Sequence, residues 1–262
     1  MAMKNKIIRT LPAVTPNAGV EAWYAKQLGI YVRRMGLAIT AMVKRDYDRL
    51  NLAQDAAGPT QIAKELQRRT LEWQAIFNRL AKDIAKEMAN RVMRHADRKL
   101  DSGLRTAGFK VRFALTDAMK EAHAAVVQEQ VGLIRSIPQK YLTDVQTLVM
   151  QSAARGRDVG TLATQLRETY GIAHRRANTI ARDQNNKATA TMTRARQLAM
   201  GIKRGKWRHS HAGKTPRPSH VAAAGKMFDI KTGMLIEGEH ILPGEKINCR
   251  CTWEPEIPGF EA

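Results

Sequence analysis

His174 to Gly201 reads HRRANTIARDQNNKATATMTRARQLAMG, and this stretch decides the architecture. Placed at 100° per residue, Ala177, Ile180, Ala181, Ala188, Met192, Ala195, Leu198 and Ala199 share one face, so the spacing predicts an amphipathic helix that Gly201 closes. Alanines make the face flat and let another backbone come close. Gln184 lies in its middle, where a buried amide needs a hydrogen-bond partner. Arg176, Lys187 and Arg194 flank one side, and Arg175, Arg182 and Arg196 the other. After Gly201 the 3.6-residue period stops while Gly and Pro become frequent. The expected fold is therefore a mainly α body of long, bundle-like helices followed by a small α+β C-terminal domain with short strands.

Toward the N-terminus the same period recurs. Val20, Trp23, Leu28, Tyr31, Met35, Ile39 and Met42 predict a helix from Asn17 to about Leu50. Ala57-Gly58-Pro59 turns the chain, and Ile62, Leu66, Trp73, Ile76, Phe77, Leu80, Ile84 and Met88 mark a second helix as far as Asp101-Ser102-Gly103. A short joint between two long helices implies an antiparallel hairpin. Alternation of Phe109, Val111, Phe113 and Leu115 with Lys110 and Arg112 predicts an extended segment before a helix starting near Thr116. Ser136-Ile137-Pro138 is expected to end that helix, and Gly156, Gly160 and Gly171 to cut the next region into a helix of about fifteen residues and a shorter one. The division is an arm over 1–16, a helical body over 17–201 and a strand-and-loop domain over 202–262.

Forty-four Lys and Arg against 24 Asp and Glu give a net charge of +20, which points to an acidic partner. Residues 174–208 hold ten of the cations and one acid, Asp183, a density suited to a nucleic-acid backbone contacted without sequence reading. The candidate contact residues are Arg175, Arg176, Arg182, Lys187, Arg194 and Arg196; a solvated helix face is the plainer alternative. No apolar run of some eighteen residues exists, so no membrane span is expected, and Arg9 and Pro12 interrupt Ile7-Ile8 before a secretory core forms. A cytosolic product is expected.

The last sixty residues hold both cysteines and His209, His211, His220 and His240. In Asn248-Cys249-Arg250-Cys251, an extended backbone would turn both sulfurs one way and Arg250 the other. Cys249, Cys251, His220 and His209 (or His211) are the candidate metal ligands, with zinc the ion that thiolates and imidazoles select. Against this stands the missing Cys-x-x-Cys turn; the plainer reading makes both cysteines small buried apolar groups. Pro216-Arg217-Pro218-Ser219-His220 reads as a rigid loop with Ser219 capping a short turn, and His220 as a ligand, a base or a hydrogen-bonded strut. Trp207 and Trp253 are expected to anchor the small domain's core. Asp229, Glu237 and Glu239 have no fixed spacing to the histidines, which argues against a metal-dependent nuclease.

Ile180-Ala181-Arg182-Asp183-Gln184, Lys206-Trp207, Pro216-Arg217-Pro218-Ser219-His220, Gly225, Phe228, Pro243-Gly244-Glu245 and Asn248-Cys249-Arg250-Cys251 occur in an order and spacing that resemble the phage Mu F-like minor head protein family, the phage head morphogenesis domain, over roughly residues 140–258. The resemblance implies a non-enzymatic minor head protein of a tailed phage, residing in the virion near the portal vertex after assembly in the host cytoplasm. It implies portal protein or major capsid protein as partner and packaged double-stranded DNA as neighbour. Related domains occur fused to toxins; none is expected here, where the sequence stops at Ala262. A metal-dependent nucleic-acid-processing enzyme built on the His/Cys cluster is the competing expectation.

Overall fold

The computed structural model describes residues 10–49, 58–155, 159–211 and 215–257. Four long helices come first: α1 (Ala18–Arg49), α2 (Gly58–Thr106), α3 (Asp117–Ala154) and α4 (Val159–Ala199). Then follow β1 (Arg204–Arg208), α5 (Pro218–Ala223), β2 (Met227–Asp229), β3 (Met234–Ile236), β4 (Glu239–Ile241) and β5 (Thr252–Glu256). The expected fold class, long helices and then short strands, is what the chain adopts. The bend expected at Ala57 and the break at Gly156 lie outside the described residues, as do residues 1–9 of the arm.

The chain forms two compact units. A helical unit comprises Ala22–Lys86 and Gln128–Ala181; a mixed unit comprises Met1–Glu21, Glu87–Val127 and Arg182–Ala262. In the helical unit the periodic aliphatics meet as their spacing requires: Leu28, Met35, Ile39, Ile62, Leu66, Phe77, Ile134, Val145 and Leu166 are all buried. Trp23 and Tyr31, expected on the same stripe, are only half-buried, and Tyr24 and Val32 are the fully buried positions. The Tyr24 hydroxyl donates to Gln130 Oε1 at 2.8 Å, which satisfies two polar groups in an apolar interior.

Two expected breaks do not occur. Pro138 lies inside α3, and Gly171 inside α4. A helix-interior proline forfeits one backbone hydrogen bond and costs about 3 kcal/mol. Ile134, Ile137, Tyr141 and Leu142 are buried around it, so packing outweighs that penalty. Ser136 Oγ also donates to the Leu133 carbonyl at 2.7 Å. Gly171 costs only about 1 kcal/mol in a helix, less than either flanking segment gains from its buried residues.

The mixed unit has a three-stranded antiparallel sheet in the order β2-β1-β5 and a separate β3-β4 hairpin. Trp207 faces Trp253 across β1 and β5, and Gly205 faces Pro255. A Cβ on Gly205 would stand 2.6 Å from the Trp253 ring, so only glycine fits under the indole. Leu11 N–H donates to the Pro255 carbonyl at 2.9 Å, extending the pairing on the other side of β5. Helix and sheet share one core here: Leu11, Leu100, Leu104, Ala190, Ile202, Trp207, Phe228, Ile230 and Trp253 form a single cluster. The boundary at residue 201 marks a change of secondary structure and not a change of core. Residues 109–116 form neither helix nor strand, yet Phe109, Val111 and Phe113 pack on that core while Lys110 and Arg112 are exposed, as their alternation requires.

Asn17 fastens the N-terminal segment. Its side-chain oxygen accepts from Gly19 N–H at 2.7 Å and Val20 N–H at 3.2 Å, capping α1. Its amide nitrogen meets His95 Nδ1 at 3.0 Å, and His95 Nε2 meets the Thr15 carbonyl at 2.9 Å. The imidazole therefore accepts at Nδ1 and donates at Nε2, which is the neutral form. Burial first, and then nearby Lys99 and Arg98, hold its pKa below the usual histidine range against the Thr15 hydrogen bond.

Candidate functional site

The C-terminal half of α4 is polar and buried together. Asp183, Gln184, Asn185, Asn186, Thr189, Thr193, Arg196 and Gln197 are each at most 6% exposed. Short strands leave many loop backbone groups without ladder partners, and these side chains supply them. Asp183 Oδ1 accepts from Asn248 N–H at 2.7 Å, and its other oxygen lies 3.5 Å from Lys187 Nζ. Arg182 donates to Asn248 Oδ1 at 2.7 Å, and Asn186 to the Cys249 carbonyl at 2.9 Å. Trp253 Nε1 donates to Gln197 Oε1 at 2.7 Å, and Arg194 donates to the Ile230 carbonyl at 3.0 Å.

Gln184 is buried as expected, and Ala177, Ala181, Ala188 and Met192 of the apolar face are buried too. The side of α4 opposite that face receives a C-terminal loop. Gly244, at φ +87°, sits with the ideal position of a Cβ 3.4 Å from the Asn186 carbonyl and 3.6 Å from Ala190 Cβ, so the loop before Cys249 lies against α4.

The same contacts correct the set of DNA-facing cations. Arg196 is buried: it holds Asp97 with two hydrogen bonds of 2.8 Å, donates to the Ala114 carbonyl and lies over the Phe113 ring at 4.9 Å. Arg182 and Arg194 bind the C-terminal loops, and Lys187 pairs with Asp183. Only Arg175 and Arg176 of the six are exposed. The helical wheel counted all six as surface because a wheel cannot show that loops cover the flanks of the helix.

Asn248-Cys249-Arg250-Cys251 precedes β5 instead of lying in a strand, because the β1–β5 ladder ends at Arg208 and Thr252. Asn248 adopts φ 60°, a left-handed turn that asparagine tolerates better than most residues. Asp183 and Arg182 hold both its backbone and its side chain there. Ser219 is not the cap of α5: Arg217 occupies that position, with Pro218 in the first turn. Arg217 donates to the Ile247 carbonyl at 2.9 Å, which ties α5 to the loop before the cysteines.

His220 Nδ1 lies 3.4 Å from Cys249 Sγ and 3.7 Å from Cys251 Sγ. All three side chains are buried. The His220 ring stands edge-on to Trp207 with centroids 5.4 Å apart, and Trp207 and Trp253 are core residues as expected. A hydrogen bond from Cys251 lowers the Cys249 thiol, aided by the Gly244 N–H at 3.4 Å and by His220; the same bond, with burial, raises Cys251. Both sulfurs and His220 border a cavity of about 260 Å³, which His209, Ser210, Thr215, Arg217, Asn248 and Arg250 also line.

Among the described residues the structure brings together three of the four expected ligands, and His209 lies outside that group. Its half-buried ring meets His211 edge-on at 4.5 Å, and burial, then His211, lowers its pKa. Asp229 is occupied in capping the Lys231 and Thr232 amides, and Glu239 pairs with Lys246 beside a neighbouring hollow that His220 also borders.

Residues 143–254 match the family described as Phage Mu protein F like protein. Over this portion the chain is similar to that family, a likeness that suggests phage head morphogenesis. The matched span contains the buried polar residues of α4, His220 and both cysteines. Over 260 residues the chain is 28% identical to a Haemophilus influenzae protein described as uncharacterized, covering 97% of this chain and 57% of that one. The chain thus spans little more than half the length of this curated relative. No solved structure matches it. No helix among the described residues is long and apolar enough to cross a membrane.

Sequence reasoning missed the polar clamp on α4. Its signal was the run Asp183-Gln184-Asn185-Asn186 inside an otherwise regular helix, four residues that gain little from a helix interior unless something outside it needs their hydrogen bonds.

Proposed function

We propose that this protein is a minor head component of a tailed phage, acting in head assembly near the portal vertex inside the capsid. The match of residues 143–254 to the phage Mu F-like family carries the reading. The family is one of structural head proteins, so the role is assembly and not catalysis. Portal protein or major capsid protein is the protein partner. The test is cryo-microscopy of heads assembled with the chain: density for it at the portal vertex is expected, and heads that form normally while excluding it would overturn the reading.

Packaged double-stranded DNA is the second partner, contacted through its backbone. The net charge of +20 supports this, with Arg175 and Arg176 in the helical unit and Lys110 and Arg112 in the mixed unit exposed to make the contact. Glutamine at these four positions should reduce DNA affinity and flatten its salt dependence by about 0.9 in log–log slope per lost phosphate contact. Binding by that variant with unchanged slope, measured by fluorescence anisotropy, would remove these residues from the interface.

A further inference from the structure

His220 Nδ1, Cys249 Sγ and Cys251 Sγ all lie within 4.8 Å of one another, and their side chains are 3–5% exposed. Tetrahedral zinc holds sulfur at about 2.3 Å and nitrogen at about 2.0–2.1 Å, which sets adjacent ligand atoms about 3.5 Å (S to N) and 3.8 Å (S to S) apart. The two observed sulfur-to-nitrogen distances are 3.4 and 3.7 Å. Spacing suited to a metal is thus present before any ion enters.

We propose that His220, Cys249 and Cys251 bind a zinc ion that fastens α5 to the loop leading into β5. Each ligand is positioned by independent contacts. Trp207 fixes the imidazole plane, the Gly244 amide points at Cys249 Sγ, and Asp183, Arg182 and Asn186 hold the backbone that carries both cysteines. A peptide amide donating to a sulfur favours its metal-binding thiolate form. Two thiolates and an imidazole select zinc over magnesium, calcium or manganese, which take oxygen donors. His209 lines the same cavity as the three ligands, so the remaining coordination position would be open to that imidazole or to water. Strands of three to five residues and a small sheet gain most from such a tie.

The full chain, purified from cells supplied with zinc, should carry one zinc per chain by elemental analysis. Replacing zinc with cobalt should give thiolate-to-metal charge-transfer bands and the visible spectrum of a tetrahedral site. C249S, C251S and H220A should each weaken zinc binding more than tenfold. Because those variants can lose structure, the wild-type chain provides the second measurement: a chelator should speed amide exchange across residues 202–256, and added zinc should restore protection. A folded wild-type chain that takes up neither zinc nor cobalt would overturn the proposal. So would a C249S/C251S variant that binds zinc as tightly as wild type, or exchange rates over 202–256 that ignore the chelator.

Discussion

The two compact units use the same long helices in opposite ways. In the helical unit, α1 to α4 bury aliphatic and aromatic side chains, and the Tyr24–Gln130 pair is satisfied within the interior. In the mixed unit, the later part of α4 buries carboxylate, amides, hydroxyls and a guanidinium, most of them aimed at loops and strand ends. A helix next to other helices needs only matching apolar surface, because every backbone group outside its ends is already paired. One next to short strands and turns must also supply hydrogen bonds those segments lack. Amphipathic periodicity describes the first situation well and the second poorly.

The largest expected effect tests whether the polar contacts of the mixed unit are structural. Arg196→Ala removes the partner of Asp97 and a donor to Ala114, and should cost about 3 kcal/mol, read by urea denaturation. The exposed counterpart in the helical unit, Arg68 with Glu65 and Glu72, should give no measurable change as Arg68→Ala. Equal losses at the two sites would erase the contrast.

Asp183→Leu should cost about 2 kcal/mol, since it strips the Asn248 amide of its acceptor and leaves Lys187 half-buried without its carboxylate. Hydrogen exchange should localise the damage to residues 244–253. Protection lost equally across Ala22–Lys86 would show that the two units unfold as one.

Glycine sets a smaller test of the same contrast. Gly36 in α1 hosts the Tyr170 ring, and a Cβ there would come within 2.5 Å of it. Gly36→Ala and Gly205→Ala should each destabilise by about 1–2 kcal/mol, the first loosening the helical unit and the second the mixed unit, resolved by exchange at Tyr170 and at Trp253.

The smallest effect is one of pH. His95 has a folded pKa below its ordinary value of 6.5, so the unfolded chain takes up the proton first as pH falls. The resulting stability is complete above pH 6.5 and is lost as pH drops through the folded pKa. Thermal unfolding between pH 7.5 and 5 should show this loss, and His95→Gln should reduce it. An unchanged pH dependence in the variant would assign it to other groups.

Much of the site was legible. Period-two spacing put Cys249 and Cys251 on one side, and their sulfurs do converge on His220, although these residues follow a left-handed Asn248 and precede β5 without joining a strand. His209, expected among the ligands, lies just beyond the end of β1 at Arg208 and meets His211 instead. Arg196, one of the six cations expected on the surface, is buried, because charge on a helical wheel reports composition and not what covers it. Pro138 and Gly171 were misread because their local costs are small beside the packing of the residues around them.

By itself the sequence determined the helical period and its loss at Gly201, the charge of +20 and the placing of both cysteines on one side, since these depend on local geometry and covalent composition. Only the tertiary structure decided that Arg196 is an internal strut, that Asp183 and Asn186 hold the cysteine loop, and that His220 meets both sulfurs. Those contacts join residues 29 to 99 positions apart. The free energy that selects them is the need of buried polar groups for partners, which no local pattern encodes.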